Sequence, residues 1–177
     1  MPVLLLLHVL TAPFAFQQGG IAFELDQPSD WVIEACDQDS LVVFSQRDGL
    51  ASLSVNVFED LMWSDALDVF SEGTREFLDV GYILAGKSRL TMGELRRAAA
   101  NDGARFHYIK RDGEIKEHIF IMVAVHENLV LLLTFYLPRW LEDHERLIAV
   151  QNIMASFHFQ VQTTNGTESI PPAPPLK

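Results

Sequence analysis

Two neighbouring stretches of the chain are apolar at almost every position, and they constrain the fold more than any other feature. Within residues 114–126, apolar side chains occupy both the odd and the even positions from Ile119 to Ala124. Leu129 to Leu137 has the same character. A β-strand points successive side chains to opposite faces of its sheet, so a strand that is apolar at both sets of positions is buried on both sides. We therefore predict two strands at the centre of a sheet that is covered on both faces.

Asp-Gly pairs divide the surrounding sequence into further strands. Asp102-Gly103 and Asp112-Gly113 are tight-turn signals, Glu127-Asn128 is a third candidate, and Asp48-Gly49 marks an upstream hairpin. Around the first three turns the pattern predicts four antiparallel strands, at 94–101, 104–111, 114–126 and 129–137.

Two segments have helical periodicity. The first follows Ser64, a suitable N-cap, and ends near Gly81. The second follows Pro138, with Leu147, Ile148 and Met154 predicted to face the core, and a short closing strand comes after it. Together these elements predict the α+β class: an antiparallel β-sheet of about six or seven strands with helices on both faces, an α-β-α sandwich.

The composition disfavours several classes of partner. The 177 residues include 13 Lys and Arg against 24 Asp and Glu, a net charge of −11. Nucleic-acid binding requires a surplus of cations to neutralise phosphates, and anionic membrane surfaces attract basic segments. We therefore expect neither a nucleic acid nor a membrane surface as the partner of this acidic chain.

Cations are nevertheless concentrated in one part of the sequence. Between Lys87 and Lys116 the basic residues outnumber the acidic ones, and Arg96, Arg97 and Arg105 lie within this stretch. This asymmetry indicates a docking face for an acidic partner, or contact between opposite ends of two copies in a homodimer. The alternative is an ordinary solvated surface with long cationic side chains.

The first residues have the pattern of an export signal. Val3 to Leu10 is an apolar run too short to span a bilayer, and "TAPFA" follows it as a cleavage region. We predict a signal peptide at residues 1–15 and a periplasmic or extracellular protein without stable membrane insertion after processing. The alternative is a buried first strand or a misplaced start in a cytoplasmic protein. We assign residues 20–161 to a single domain, and residues 162–177 to a Pro-rich disordered tail.

Two histidines are predicted to face each other across a hairpin. If Asp112-Gly113 is a two-residue loop, His107 lies directly opposite His118, and Arg105 lies opposite Phe120. Cβ atoms of directly opposite residues are about 5 Å apart, near enough for two imidazoles to share a metal ion or to couple their titrations. A metal site needs a third ligand, to which the sequence does not point. The alternative is a half-exposed polar pair at the end of the sheet.

Trp31, Trp63 and Trp140 each flank a predicted element. Two interpretations fit them: aromatic side chains that line a groove for a peptide or lipid, or caps at the ends of the core.

Signatures of catalysis are absent from the sequence. It contains no Gly-x-Ser-x-Gly elbow, no His-Glu-x-x-His motif and no phosphate-binding glycine loop. Cys36 is the single cysteine, which excludes an internal disulfide and a Cys-based metal motif. We therefore predict a protein that is not an enzyme and that carries no cofactor.

The order of motifs resembles the Mog/PsbP-like superfamily, and within it the bacterial DcrB-like domains of unknown function. The resemblance covers Phe23 to Phe159 and is carried by "QPSDW", "SLSVNVFEDL", "GARFHYIKRDG" and "IMASFHF". It implies an α-β-α sandwich used for binding, since members of this superfamily serve as extrinsic photosystem subunits, assembly factors, exported proteins or secretion chaperones and are generally not enzymes.

From the residues and the resemblance together we expect an exported, non-catalytic binding or assembly module that recognises a protein or peptide. We expect its contacts at Arg96, Arg97 and Arg105 and at Trp31, Trp63 and Trp140. Two alternatives remain: a cytoplasmic chaperone-like domain for apolar segments, and a weak metal-binding protein that uses His107 and His118.

Overall fold

The computed structural model describes residues 11–18, 21–28, 31–34, 42–47, 51–59, 75–112, 115–137 and 144–160. Within these ranges the chain forms ten strands and three helices. In chain order they are β1 (Thr11–Gln18), β2 (Ile21–Pro28), β3 (Trp31–Glu34), β4 (Val42–Gln46), β5 (Ser52–Glu59), α1 (Arg75–Asp79), β6 (Ile83–Arg89), α2 (Met92–Ala98), β7 (Asp102–Asp112), β8 (Ile115–His126), β9 (Leu129–Leu137), α3 (His144–Ser156) and β10 (His158–Phe159).

Seven of these strands form one antiparallel sheet in the order β3-β4-β5-β9-β8-β7-β6. The two strands that are apolar on both faces, β8 and β9, lie inside this order with neighbours on either side, as predicted. A second sheet has the order β1-β2-β10. β10 joins it by pairing His158 with Glu24 and Phe159 with Phe23.

Each face of the large sheet buries its own hydrophobic cluster. On one face Met122 of β8 and Ile153 of α3 belong to a common core. On the other face Ile121 of β8 packs in a cluster with Tyr108 of β7, and the ring of Phe77 from α1 lies 5.3 Å from the Tyr108 ring. Helices therefore cover both faces, which confirms the predicted α+β class.

Residues 94–101 were predicted to form a strand, and this prediction is wrong: they form most of α2 and the turn after it. Thr91 is the N-cap, and its hydroxyl accepts a hydrogen bond from the Glu94 N–H, 3.3 Å away. The Glu94 carboxylate in turn accepts from the Thr91 N–H at 2.7 Å. This reciprocal capping box satisfies free donors at the start of a helix and favours a helix here. The strand that pairs with β7 on the side away from β8 is β6.

Asp102-Gly103 is likewise not a turn, because both residues belong to β7. A glycine is needed at position 103 because the surrounding atoms leave no room for a side chain. A Cβ atom there would lie 2.5 Å from Cδ1 of Leu90 and 2.7 Å from the carbonyl oxygen of Val123. The glycine allows Leu90, which is buried just before α2, to lie directly against the strand.

The β7–β8 hairpin forms as predicted, but its register differs by two residues. Arg105 pairs with Met122 rather than with Phe120, and His107 pairs with Phe120 rather than with His118. The difference arises because the aspartate of the predicted Asp-Gly turn is the last paired residue of β7. A shift of two residues leaves each side chain on its predicted face. The two histidines are therefore diagonal neighbours.

The hairpin predicted around Asp48-Gly49 is confirmed by its two strands. β4 and β5 pair antiparallel, and the N–H of Gln46 donates to the carbonyl of Ala51 at 2.9 Å. The Asp-Gly pair itself lies outside the described residues.

The second predicted helix corresponds to α3. Met154 is buried and Leu147 packs against the core, as predicted. Ile148 was predicted to face inward, and this is wrong, because its side chain is 43% exposed. Val150 and Ile153 are almost completely buried in its place, since they share the helix face of Met154.

β1 contains the segment that the sequence marked as a cleavage region. Phe14 of β1 packs edge-on against Phe44 at 4.9 Å between ring centroids, and Phe16 stacks on Phe23 at 5.1 Å. In this structure the segment is a strand packed on the core, whereas the apolar run from Val3 to Leu10 lies outside the described residues. Processing at residue 15 stays a prediction.

Several predicted features lie outside the described residues: residues 1–10, Cys36, Trp63, Ser64, Trp140 and residues 162–177. Among the helices that the structure describes, none has both the length and the hydropathy to cross a membrane.

Candidate functional site

An open groove lies on the face of the large sheet that carries α3. Its volume is about 420 Å³, and β6, β7, β8 and α3 each contribute to its walls. The side of β7 that faces it presents alternate residues, Arg105 and His107, and Phe120 of β8 pairs with the second of these. Gln151 and Met154 line it from α3. Mixed walls of this kind, apolar with a few converging polar groups, are typical of binding sites.

One guanidinium, that of Arg105, belongs to the face of this groove although the chain is strongly acidic. None of the lining residues that the structure describes is a carboxylate. Lys87 also lines the groove, but it pairs with Phe106 of β7, so its side chain points to the opposite face of the sheet. Asp and Glu outnumber Lys and Arg by 24 to 13 in the whole chain. A basic concave surface on such a chain attracts anionic groups, because low-dielectric walls focus the field.

Arg105 is held in place by a network that starts at the cap of α2. Its guanidinium forms an ion pair with the Glu94 carboxylate, which also accepts hydrogen bonds from the Thr91 N–H and hydroxyl, each at 2.7 Å. These hydrogen bonds, first those from Thr91 and then that from Arg105, keep the pKa of Glu94 below its usual value. The Nε atom of Arg105 is buried and has no hydrogen-bond partner among the described residues. The side chain as a whole is 42% exposed.

Arg96 and Arg97 lie on α2, and both are exposed. Arg97 lines a smaller cavity of about 20 Å³ beside the groove, and Arg105 contributes to the walls of both. The predicted arginines therefore lie in one region: Arg105 in the groove, Arg97 next to it and Arg96 on the same helix.

His107 and His118 are in direct contact despite the shifted register. Nε2 of His107 lies 2.8 Å from Nδ1 of His118, a hydrogen-bond distance. His118 is only 7% exposed, whereas His107 is half-buried and lines the groove. The ring of Phe120 stacks on that of His107 at 4.2 Å and 10°. Burial lowers the pKa of His107.

This geometry is that of a hydrogen-bonded pair. Two ligands on a tetrahedral Zn²⁺ at 2.0–2.1 Å place their nitrogen atoms about 3.3 Å apart, farther than in this pair. In the described part of the chain, no group of three or more His, Cys, Asp or Glu side chains is arranged to hold a metal ion.

Of the three predicted tryptophans, the structure describes Trp31. It lies at the start of β3, is 9% exposed, and packs against Phe135 with 5.2 Å between ring centroids. Its position matches the alternative interpretation, a tryptophan that closes the end of the core.

Sequence reasoning missed the α3 wall of the groove. Gln151 is three residues before the buried Met154, so both reach the same side of the helix. The available signal was a polar residue, Gln151, at helical spacing from a core position. Ser88 was also missed, because β6 was not predicted to be the neighbour of β7. In the structure Ser88 of β6 pairs with Arg105 of β7.

Comparisons with known proteins identify the fold. No family model matches the chain, and a search of curated protein sequences found no match. Among solved structures, cyanobacterial PsbP (CyanoP) from Synechocystis superposes with a TM-score of 0.61 at 16% identity, covering 85% of this chain and 94% of that one.

Two further solved structures superpose over a similar share of the chain. The Ran-binding protein Mog1p from Saccharomyces cerevisiae has a TM-score of 0.57 at 11% identity, covering 85% of this chain and 96% of its own. LpqN from Mycobacterium tuberculosis, which is involved in cell envelope biogenesis, has a TM-score of 0.54 at 12% identity, with coverage of 85% and 91%. The chain thus has the Mog/PsbP-like fold that its motif order predicted.

Proposed function

We propose that this protein is a non-catalytic binding module that recognises an acidic segment of a protein partner in the groove beside α3. One observation carries the proposal: a groove that presents Arg105 and no described carboxylate lies on a chain with a net charge of −11. Charge complementarity of this kind steers an acidic partner to the site and excludes basic ones.

The floor of the groove adds an apolar component. Phe120 and Met154 line it between the polar groups of β7 and α3. A partner segment that combines carboxylates with an apolar or aromatic side chain would therefore use the whole surface. Aromatic anchors usually dominate the affinity of such interfaces.

The shared fold is compatible with a binding role. One of the proteins with this fold, Mog1p, is a Ran-binding protein. At 11% identity that relationship concerns the fold alone, so the partner of the present chain follows from its own groove.

We further propose that the domain spans residues 20–161, that it is exported after removal of residues 1–15, and that it belongs with the bacterial DcrB-like domains. The apolar run followed by small residues supports export, and the motif order supports the grouping. The N-terminal residue and the cell fraction of the natively expressed protein test the first two proposals. Self-association through the surface that carries Arg96, Arg97 and Arg105 is tested by analytical ultracentrifugation.

The test of the binding function uses a fluorescent peptide of alternating Glu and Phe, about eight residues long, and measures anisotropy at fixed ionic strength. Arg105→Gln is expected to weaken binding by about tenfold or more, because a charge-assisted hydrogen bond is lost. Arg111→Gln removes the same charge from an exposed position of β7 and is the matched control, with an expected change of less than about twofold.

A second variant changes the charge beside Arg105 while keeping the helix cap, so it tests an effect on binding without an expected loss of folding. Glu94→Gln retains an amide oxygen that can complete the capping box and accept from Arg105, but it removes the negative charge that competes with the peptide for Arg105. We expect this variant to bind the acidic peptide at least as tightly as the native protein. Equal losses in Arg105→Gln and Arg111→Gln would contradict the proposal. Binding of a Phe-Ser peptide as tight as that of the Glu-Phe peptide would favour the chaperone-like alternative.

A further inference from the structure

We propose that the groove binds a side-chain carboxylate of the partner segment between Arg105 and His107, and that this carboxylate draws one proton onto the His107–His118 pair. The inference rests on the proposed function and adds to it the recognised group and a dependence on pH.

The first step is the placement of the two side chains. Arg105 and His107 are alternate residues of β7, so they point to the same face and their Cα atoms lie about 7 Å apart. Both line the groove, and Ser88 of β6 and Gln151 of α3 line it from the two sides. A carboxylate between the arginine and the histidine would have donors within reach from three elements.

The second step is that Arg105 is already oriented. Its ion pair with Glu94 anchors the guanidinium to the capping box of α2, and 42% of the side chain remains exposed. A guanidinium has five N–H donors, and one carboxylate partner does not use all of them. Arg105 can therefore donate hydrogen bonds to a second carboxylate while its ion pair with Glu94 stays intact.

The third step concerns the capacity of the histidine pair for protons. A hydrogen bond across 2.8 Å requires one ring nitrogen to donate and the other to accept. One additional proton on the pair preserves this bond, since an imidazolium donates to a neutral imidazole. A second proton would set two donors against each other. The pair is thus suited to take up a single charge.

The fourth step is the electrostatic surrounding of His107. Arg105 faces it along β7, His118 and Phe120 face it from β8, Ser88 lines the groove from β6, and Gln151 and Met154 line it from α3. The carboxylate of Glu94 on α2 is engaged by Arg105 and Thr91. Burial lowers the pKa of His107, which favours the neutral ring when the groove is empty. A bound carboxylate reverses this balance because it favours the protonated form.

The experiment measures affinity and proton uptake together. A capped peptide with a single Glu between two Phe residues is titrated into the protein by calorimetry, in two buffers of different ionisation enthalpy, from about pH 7.5 to about pH 5.5. The same peptide with Gln in place of Glu is the neutral control. We expect the affinity for the Glu peptide to rise about tenfold as the pH falls, with uptake of up to one proton, because one pKa unit corresponds to a tenfold change.

Variants and a spectroscopic signal complete the test. His107→Gln is expected to lose both the pH dependence of the affinity and the proton uptake, whereas Arg111→Gln is expected to keep both. In the native protein, the NMR titration of the His107 ring should move to higher pH when the Glu peptide is bound. This readout does not depend on how well a variant folds.

The outcomes separate the two proposals. Binding that requires Arg105 but shows no proton uptake and no movement of the His107 titration would overturn this inference and leave the proposed function intact. Absence of peptide binding, or binding that Arg105→Gln does not weaken, would overturn both.

Discussion

Nε2 of His107 and Nδ1 of His118 lie 2.8 Å apart although the two residues are diagonal neighbours in the β7–β8 ladder. Direct opposition is thus not needed for the contact, because imidazole side chains span the diagonal distance of about 7–8 Å between strands. The partner opposite His107 is Phe120, whose ring stacks on the imidazole. The pair therefore combines a hydrogen bond with an apolar covering at the edge of the groove.

The folded protein is expected to lose stability in mildly acidic solution, in part through His107. Because burial lowers the pKa of His107 in the folded state, the unfolded chain binds this proton more tightly. The contribution of His107 is fully present above the unfolded value of about 6.5 and decreases as the pH falls through the folded pKa. Urea unfolding of the native protein and of His107→Gln, between about pH 7.5 and pH 5, measures the difference. Parallel curves for the two proteins would contradict this prediction.

Gly103→Ala is expected to destabilise the protein by about 1–3 kcal/mol, because the new methyl group overlaps with its surroundings. It would lie 2.5 Å from Leu90 Cδ1 and 2.7 Å from the Val123 carbonyl oxygen, which is backbone and cannot move freely. Gly86→Ala is the matched control, since a Cβ atom there meets nothing within 4 Å. Chemical denaturation measures both variants, and a loss at residue 86 as large as that at residue 103 would refute the packing argument.

The capping box of α2 is expected to contribute measurably to stability. Thr91→Ala removes the side chain that accepts from the Glu94 N–H and should cost about 1 kcal/mol of unfolding free energy. Thr91→Ser retains the hydroxyl and should cost much less. Thermal unfolding compares the two variants. If alanine and serine behave alike, the cap does not stabilise this helix.

β1 is expected to stabilise the domain through its aromatic side chains. Phe14→Ala should cost about 1–3 kcal/mol, less than the ~3–5 kcal/mol typical of a fully buried phenylalanine, because Phe14 is only partly buried. Gln17→Ala, at an exposed position of the same strand, should change stability by less than about 0.5 kcal/mol. Denaturation curves of the two variants decide whether β1 is an integral strand.

The same experiment bears on the N-terminus when a shortened chain is included. A chain that begins at Phe16 lacks the Phe14 contact with Phe44 and most of the pairing between β1 and β2. We expect it to unfold at a lower urea concentration than the full chain. A shortened chain of undiminished stability would show that the domain does not need the first half of β1.

Much of the fold was predictable because its signals are local. The apolar character of β8 and β9, the Asp48-Gly49 hairpin and the helical spacing of Leu147 and Met154 all depend on residues close together in the chain. The arginines of the candidate site were also predicted in this way, because a cluster of basic residues stands out in a sequence that is otherwise acidic. These properties follow from side-chain type and period alone.

The errors arose where a local signal competed with packing. Asp102-Gly103 has the composition of a turn, yet Gly103 is selected by the closeness of Leu90 and Val123. Residues 94–98 belong to a helix because Thr91 and Glu94 cap each other, a signal that the turn hypothesis did not take into account. Without knowing that β6 is the neighbour of β7, sequence reasoning could not place Ser88 beside Arg105.

The sequence by itself determined the fold class, the central position of β8 and β9 and the basic stretch on an otherwise acidic chain, because residue type and spacing act over short distances. Only the tertiary structure decided three relationships. They are the register, shifted by two residues from the predicted one, that places His107 opposite Phe120, the pairing of β10 with β2, and the approach of α3 to the face of β7 that carries Arg105 and His107. The second and third of these relationships join segments far apart in sequence. Their free energy comes from burial and hydrogen bonds that exist only once the chain has closed these distances.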